Sequence, residues 1–232
     1  NDSIETGNGT FRFYDRIMRD AKNGGYGTIT IKDAFEKSSN VAISKLVEEN
    51  FGHQPKKFIS YIEKAGLDQP IGFQLKGEGA PYFKNPEDKY WYGTTLPWMS
   101  IGYETKLTPL HTLMFYNAVA NGGKMVKPMI VQAIARGNKL EKNFETEVIR
   151  KSIASDKTIK QLQMLLQGVV DNGTAKNIHN ADYKIAGKTG TAQKLIDGRY
   201  TQLYYTSFAG YFPADNPKYS AIVVIDSPKG FA

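Results

Sequence analysis

At Tyr183 the hydrophobic pattern changes period, and that change constrains the fold more than any other feature of the chain. Upstream, apolar residues recur at helical spacing. Downstream, Tyr183–Leu195, Tyr204–Phe212 and Tyr219–Ser227 read as three strands, the last two joined by a turn at Pro213-Ala214-Asp215-Asn216-Pro217. Helices followed by an antiparallel meander make an α+β plan, with helices packed on one sheet. Residues 30–175 form the mainly helical part and residues 183–232 the sheet part; no internal repeat is present.

Residues 1–29 are rich in Gly, Asn and Asp and read mainly as loop. Thr30 is placed to cap a short helix, Ile31–Lys37, with Asp33 at the capping-box position. Ser38-Ser39-Asn40 interrupts it, because these residues favour caps and turns. Helices follow at 41–50 and 55–65, the latter opening with Pro55 and closing at Gly66. Residues 66–103 hold six glycines, four prolines and the cluster Tyr90-Trp91-Tyr92, and read as a long decorated loop. Those aromatics and Trp98 are expected to pack beneath the loop rather than to line a substrate groove. Thr108 caps a further helix with Pro109 at its first position, and Asn121-Gly122-Gly123 ends it. A strand is expected over 129–135 and an amphipathic helix over 155–170, with Asp171 and Asn172 ending it and Gly173 allowing the turn.

The 232 residues suffice for one large domain or two small ones. No run of eighteen apolar residues occurs, and the first nine residues carry no export pattern. There are no cysteines, which excludes disulfides and thiolate metal sites. His53, His111 and His179 lie far apart without carboxylates at ligand spacing, so no metal and no cofactor is expected. His111 is read as a satisfied core residue and His179 as a cap or solvent residue. The formal charge of +7 is scattered, with no five-residue basic run, which speaks against nucleic acid and for an anionic wall polymer or membrane surface.

Two short segments carry chemistry. Ser38-Ser39-Asn40 is an S-x-N triad between two helices, and Lys188-Thr189-Gly190-Thr191 is a K-T-G-T tetrad on a strand. Taken singly, the first is a plain helix cap and the second an exposed strand with a bulge glycine. Their context is more specific: Ala186–Gln193 around the tetrad, Gly168-Val169-Val170 leading into Asp171-Asn172-Gly173-Thr174-Ala175, Ser100-Ile101-Gly102-Tyr103 leading to Leu107-Thr108-Pro109-Leu110, and Ala120-Asn121-Gly122-Gly123. In these segments the chain resembles the transpeptidase domain of class B penicillin-binding proteins, the division type in particular, and the resemblance covers nearly its whole length.

That resemblance implies a penicillin-binding protein/serine β-lactamase-like fold and acyl transfer from D-Ala-D-Ala stem peptides, with β-lactams as inhibitors. It implies that Ser38 relays a proton and that Asn40, both donor and acceptor, positions substrate. Lys188, Thr189 and Thr191 are expected to hold the substrate carboxylate, and Thr191 N–H to serve the oxyanion. Gly190 leaves the strand edge open to a substrate backbone. Partners implied are peptidoglycan stem peptides and, for the parent protein, division or elongation machinery. Its location would be extracytoplasmic, anchored by a segment outside this chain.

One element of the family pattern is missing. No S-x-x-K, the nucleophile and base pair, occurs in the sequence. The nearest string, Thr191-Ala192-Gln193-Lys194, lies on the strand, where residues three apart face opposite ways. The chain is therefore expected to be a fragment that neither acylates nor turns over alone, with an uncovered sheet face prone to self-association. A β-lactamase or carboxypeptidase, a penicilloyl sensor and a non-enzymatic wall-binding domain are the alternatives; no deacylating carboxylate is marked, which weighs against the first.

Overall fold

The structure, a computed structural model, describes residues 2–196 and 199–229; the expected end of the sheet part at residues 230–232 lies outside them. In chain order the elements are β1 (Ser3–Glu5), β2 (Thr10–Phe13), β3 (Arg16–Arg19), β4 (Thr28–Thr30), α1 (Ile31–Glu36), α2 (Asn40–Phe51), α3 (Pro55–Lys64), β5 (Tyr82–Phe83), α4 (Thr95–Met99), β6 (Thr105–Lys106), α5 (Pro109–Ala120), β7 (Met125–Val126), β8 (Ala133–Arg136), β9 (Lys139–Asn143), β10 (Val148–Arg150), α6 (Asp156–Asp171), β11 (Ala186–Ile196), β12 (Arg199–Phe212) and β13 (Tyr219–Asp226). The architecture is α+β.

The helices start where side chains can satisfy their first free N–H groups. Thr30, Ser39, Thr108 and Ser155 each accept from the backbone N–H three residues on. Pro109 occupies the first turn of α5, where its missing N–H is harmless.

The last three strands form an antiparallel meander in the order β11-β12-β13, with Lys188 opposite Ala209 and Ala209 opposite Ile222. Helices α5 and α6 lie against it. Val119 of α5, Leu166 of α6, Ala186 and Tyr211 share one buried cluster; Val169, Val170 and Ala175 form another, against Phe208. Each fully buried Val or Leu contributes roughly 1.5–3 kcal/mol, so this face fixes the meander beneath the helices. Gly187 and Gly210 face each other across β11 and β12. A β carbon on Gly187 would lie 2.6 Å from the Ala209 carbonyl oxygen and would overlap the Phe208 ring. Tyr205, Val223 and Ile225 are exposed on β12 and β13.

A second core surrounds α2. Val41 packs with Phe13 and Met18 from the β2–β3 hairpin and with Trp98 of α4. Residues 1–29 were expected to be mainly loop; residues 2–29 are instead pinned by two short ladders, β1 with β4 and β2 with β3. These strands are three or four residues long, too short to show a period, and β1 finds its partner about 25 residues away. The strand expected at 129–135 is shifted. It runs Ala133–Arg136 and pairs with β9 around Gly137-Asn138, because that turn sets the register of the hairpin.

Candidate functional site

Helix α1 ends in a cap at which Ser38 takes the left-handed place usually filled by glycine. Ser39 N–H donates to Ala34 O at 2.9 Å and Ser38 N–H to Phe35 O at 3.1 Å, while Ser38 sits at φ 55°. A non-glycine residue there costs roughly 1–2 kcal/mol. The next residue begins another helix. Ser39 Oγ accepts from Ala42 N–H at 3.1 Å and donates to Asp20 Oδ1 at 3.0 Å, and Asp20 also accepts from Val41 N–H at 3.0 Å. The back-to-back stop and start hold the Ser38 side chain at a sharp corner between α1 and α2.

The corner faces β11. Lys188 Nζ donates to Ser38 Oγ at 2.8 Å and to Thr189 O at 3.1 Å. Burial holds the Lys188 ammonium at a pKa of about 8, well below the usual lysine range, because water no longer solvates its charge. The fold thus brings together Ser38 and Lys188, two residues 150 positions apart. Thr189 reaches the hydroxyl of Thr174, Oγ1 to Oγ1, at 2.6 Å. Gly190 is exposed; a β carbon there would stand 2.8 Å from Ser207 Oγ. Thr191 is exposed on the outer stretch of the strand, opposite Thr206.

Asn40 is the first residue of α2, and its Nδ2 donates to Arg19 O of β3 at 2.9 Å. It borders a cleft of about 470 Å³ that also touches Gln193 of β11. Arg16, Arg19, Tyr92, Trp98, Tyr103 and Tyr200 are among its other lining residues. Tyr103 and Tyr200 stack edge-to-face at 5.1 Å. Among the loop aromatics, Trp98 packs on Phe13 as well as meeting the cleft, whereas Tyr90 and Tyr92 are exposed rather than packed beneath the loop. Lys194 does not approach this region as a partner of Thr191: its Nζ pairs with Asp226 at 2.7 Å and lies over the Tyr205 ring.

The two histidines read from the sequence as a core residue and as a cap or solvent residue sit in the core and at the surface respectively. His111 is fully buried, its Nδ1 2.7 Å from Thr108 Oγ1 and its Nε2 3.3 Å from Gln69 O. His179 is exposed, 3.8 Å from Asp171. Among the described residues no cluster of His, Cys, Asp or Glu could hold a metal ion, and no helix is long and apolar enough to cross a membrane. Arg16, Arg19, Gln193 and Tyr200 were not picked out from the sequence as a group. They come from segments far apart in the chain, and no local pattern links them.

Comparison with known proteins gives a consistent result. The family description "Penicillin binding protein transpeptidase domain" matches residues 1–232. Stage V sporulation protein D of Bacillus subtilis is 32% identical over 94% of this chain and 35% of its own length. Penicillin-binding protein PbpB of Mycolicibacterium smegmatis is 32% identical over 91% of this chain and 33% of its own. The chain therefore spans about a third of the length of the curated relatives it matches. Among solved structures, the transpeptidase domain of Burkholderia pseudomallei penicillin-binding protein 3 superposes with a TM-score of 0.81 at 26% identity, over 98% of this chain and 65% of that one. Penicillin-binding protein 3 of Mycobacterium tuberculosis, solved in complex with aztreonam, gives 0.80 at 30% identity, over 95% and 50%.

Proposed function

Because the chain belongs to the penicillin-binding protein transpeptidase domain family, class B, we propose that it supplies the carboxylate-binding and proton-relay part of a peptidoglycan D,D-transpeptidase. The observation that carries this reading is the 2.8 Å contact between Lys188 and Ser38, which joins the S-x-N and K-T-G-T segments.

In this reading the terminal carboxylate of a D-Ala-D-Ala stem peptide sits against Lys188, Thr189 and Thr191. A buried, partly desolvated ammonium on a strand that also carries two threonine hydroxyls favours an anion that brings its own hydrogen-bond acceptors. Gly190 lets the peptide backbone approach the strand. Beyond Gly190, β11 reaches Gln193, which lines a cleft together with Asn40, and that cleft has room for the upstream part of the stem. Asn40 Oδ1 is an acceptor available to a substrate amide while Nδ2 is held by Arg19.

The reaction is acyl transfer. A serine oxygen attacks the penultimate carbonyl, the peptide bond to the last D-Ala breaks, and the departing amine takes a proton through Ser38. The amine of a second strand then displaces the serine from the ester, which restores the serine hydroxyl. The nucleophilic serine and its lysine are not among the 232 residues. Only the relay, positioning, carboxylate and oxyanion roles are assigned to this chain, the last to the Thr191 N–H. A β-lactam would enter as a mimic of the same peptide end; aztreonam and ampicillin occupy a related protein. The parent protein is assigned to the extracytoplasmic face of the membrane, with division or elongation proteins as partners.

The test is covalent labelling of the full-length protein by a fluorescent penicillin. Wild type should label at a mapped serine outside this chain, and Ser38→Ala and Lys188→Ala should label far more slowly. Labelling at an unchanged rate in both variants would remove this reading.

A further inference from the structure

Thr174 follows α6, and two independent anchors fix it. Its backbone N–H donates to Glu36 O at 3.1 Å, and the next residue, Ala175, is buried with its N–H on Val169 O at 3.1 Å. Glu36 is itself buried, in the last turn of α1, two residues before Ser38. Gly168 and Gly173 are the positions that let α6 and its exit approach it: a β carbon on either would overlap Glu36. The Thr174 hydroxyl then meets Thr189, whose neighbour Lys188 returns to Ser38. Glu36, Thr174, Thr189, Lys188 and Ser38 thus form a closed circuit of chain and hydrogen bonds.

That circuit constrains a proton. At 2.6 Å one threonine hydroxyl donates to the other. A Thr189 hydroxyl that gives its single proton to a carboxylate can serve Thr174 only as an acceptor. Thr174 must then be the donor. We infer that Thr174 is a positioning residue for carboxylate recognition: it donates to Thr189 and so aims the Thr189 proton at the substrate's terminal carboxylate. This rests on the carboxylate-binding reading above and adds a residue to it. Hydrogen bonds in series polarise one another, so the Thr189 proton is also a better donor than that of an isolated hydroxyl.

The experiment compares acylation of the full-length protein by benzylpenicillin and by its methyl ester, which lacks the negative charge. Thr174→Val keeps the shape and removes the donor; acylation by the acid should slow about tenfold, the usual effect of losing one hydrogen bond in a charged network, while the ester is unaffected. Thr174→Ser should retain the wild-type acid rate within about twofold, since it keeps the hydroxyl. Thr189→Val and the Thr174→Val/Thr189→Val double variant should match each other, because Thr174 acts only through Thr189. Equal slowing on acid and ester marks a packing role and overturns the inference alone, as does no slowing. A wild type that is not acylated, or that does not prefer the acid, overturns the carboxylate-binding reading and this inference with it.

Discussion

Gly173 lies directly against the Glu36 carbonyl: a β carbon there would overlap that oxygen and stand 2.9 Å from Val169 O. Both obstacles are backbone atoms, which cannot rotate away as a side-chain tip could. Gly173→Ala should therefore push the exit of α6 off the end of α1 and lower stability by about 1–3 kcal/mol, the range for overpacking a filled site. Denaturant unfolding of wild type and variant checks this. Gly173 was expected to permit a helix-ending turn. Its φ is not positive, so its requirement for glycine comes from proximity and not from dihedral freedom.

Ser38 offers a separation of backbone from chemistry. Its φ of 55° is strained for any residue with a β carbon. Ser38→Gly should be more stable than Ser38→Ala by about 1 kcal/mol, because both lose the Lys188 contact and only alanine keeps the strain. Both should lose proton relay alike. Thermal unfolding and penicillin labelling, run on the same two variants, read the two effects independently.

The Ser39 cap predicts a local weakness. Ser39 is buried, and its hydroxyl is the first hydrogen-bond acceptor of α2 as well as a donor to Asp20. Ser39→Ala should cost about 1–2 kcal/mol, measured by chemical denaturation. Because Asp20 also takes Val41 N–H, Asp20→Asn should cost less than Ser39→Ala and the two together should be non-additive.

Lys188 predicts a pH dependence of definite sign. Burial lowers its pKa from 10.5 to about 8, so between these values the unfolded chain holds a proton that the folded chain has released. The Lys188 contribution to the stability of the ligand-free protein should thus rise with pH across that window. Affinity for a carboxylate ligand should run the opposite way, falling as pH climbs through about 8 and the ammonium is neutralised. Lys188→Met should abolish both trends. Thermal shift across pH 7–10.5, with and without a D-Ala-D-Ala peptide, records them together.

The starts of α1 and α5 and the end of α5 were legible because each rests on a local device: Thr30, the Thr108-Pro109 pair and the glycines after Asn121 all act within a few residues of themselves, whereas α4 lies in a stretch that reads as loop. The meander was legible for the same reason, through its period and its turn. The β1–β4 ladder and the cleft beside Asn40 were not, because they consist of contacts between segments that share no local pattern. Ser38 and Lys188 stood out in the sequence only as family motifs, and their proximity is a property of how α1 and α6 close over β11. Thr174 lies in the segment Asp171-Asn172-Gly173-Thr174-Ala175 but carries no sequence signal of its own; its reach to Thr189 depends on two glycines whose purpose is visible only in three dimensions.

The 150-residue interval between Ser38 and Lys188 has a consequence for how the polypeptide assembles. Every shorter contact in the helical part can form before these two meet, so the recognition surface exists only once the first and last portions of the chain have docked. A ligand gripping both would act as a removable crosslink across that interval. It should slow the separation of the sheet from the helices, and protease resistance gained on ligand addition would count only those molecules in which docking is complete.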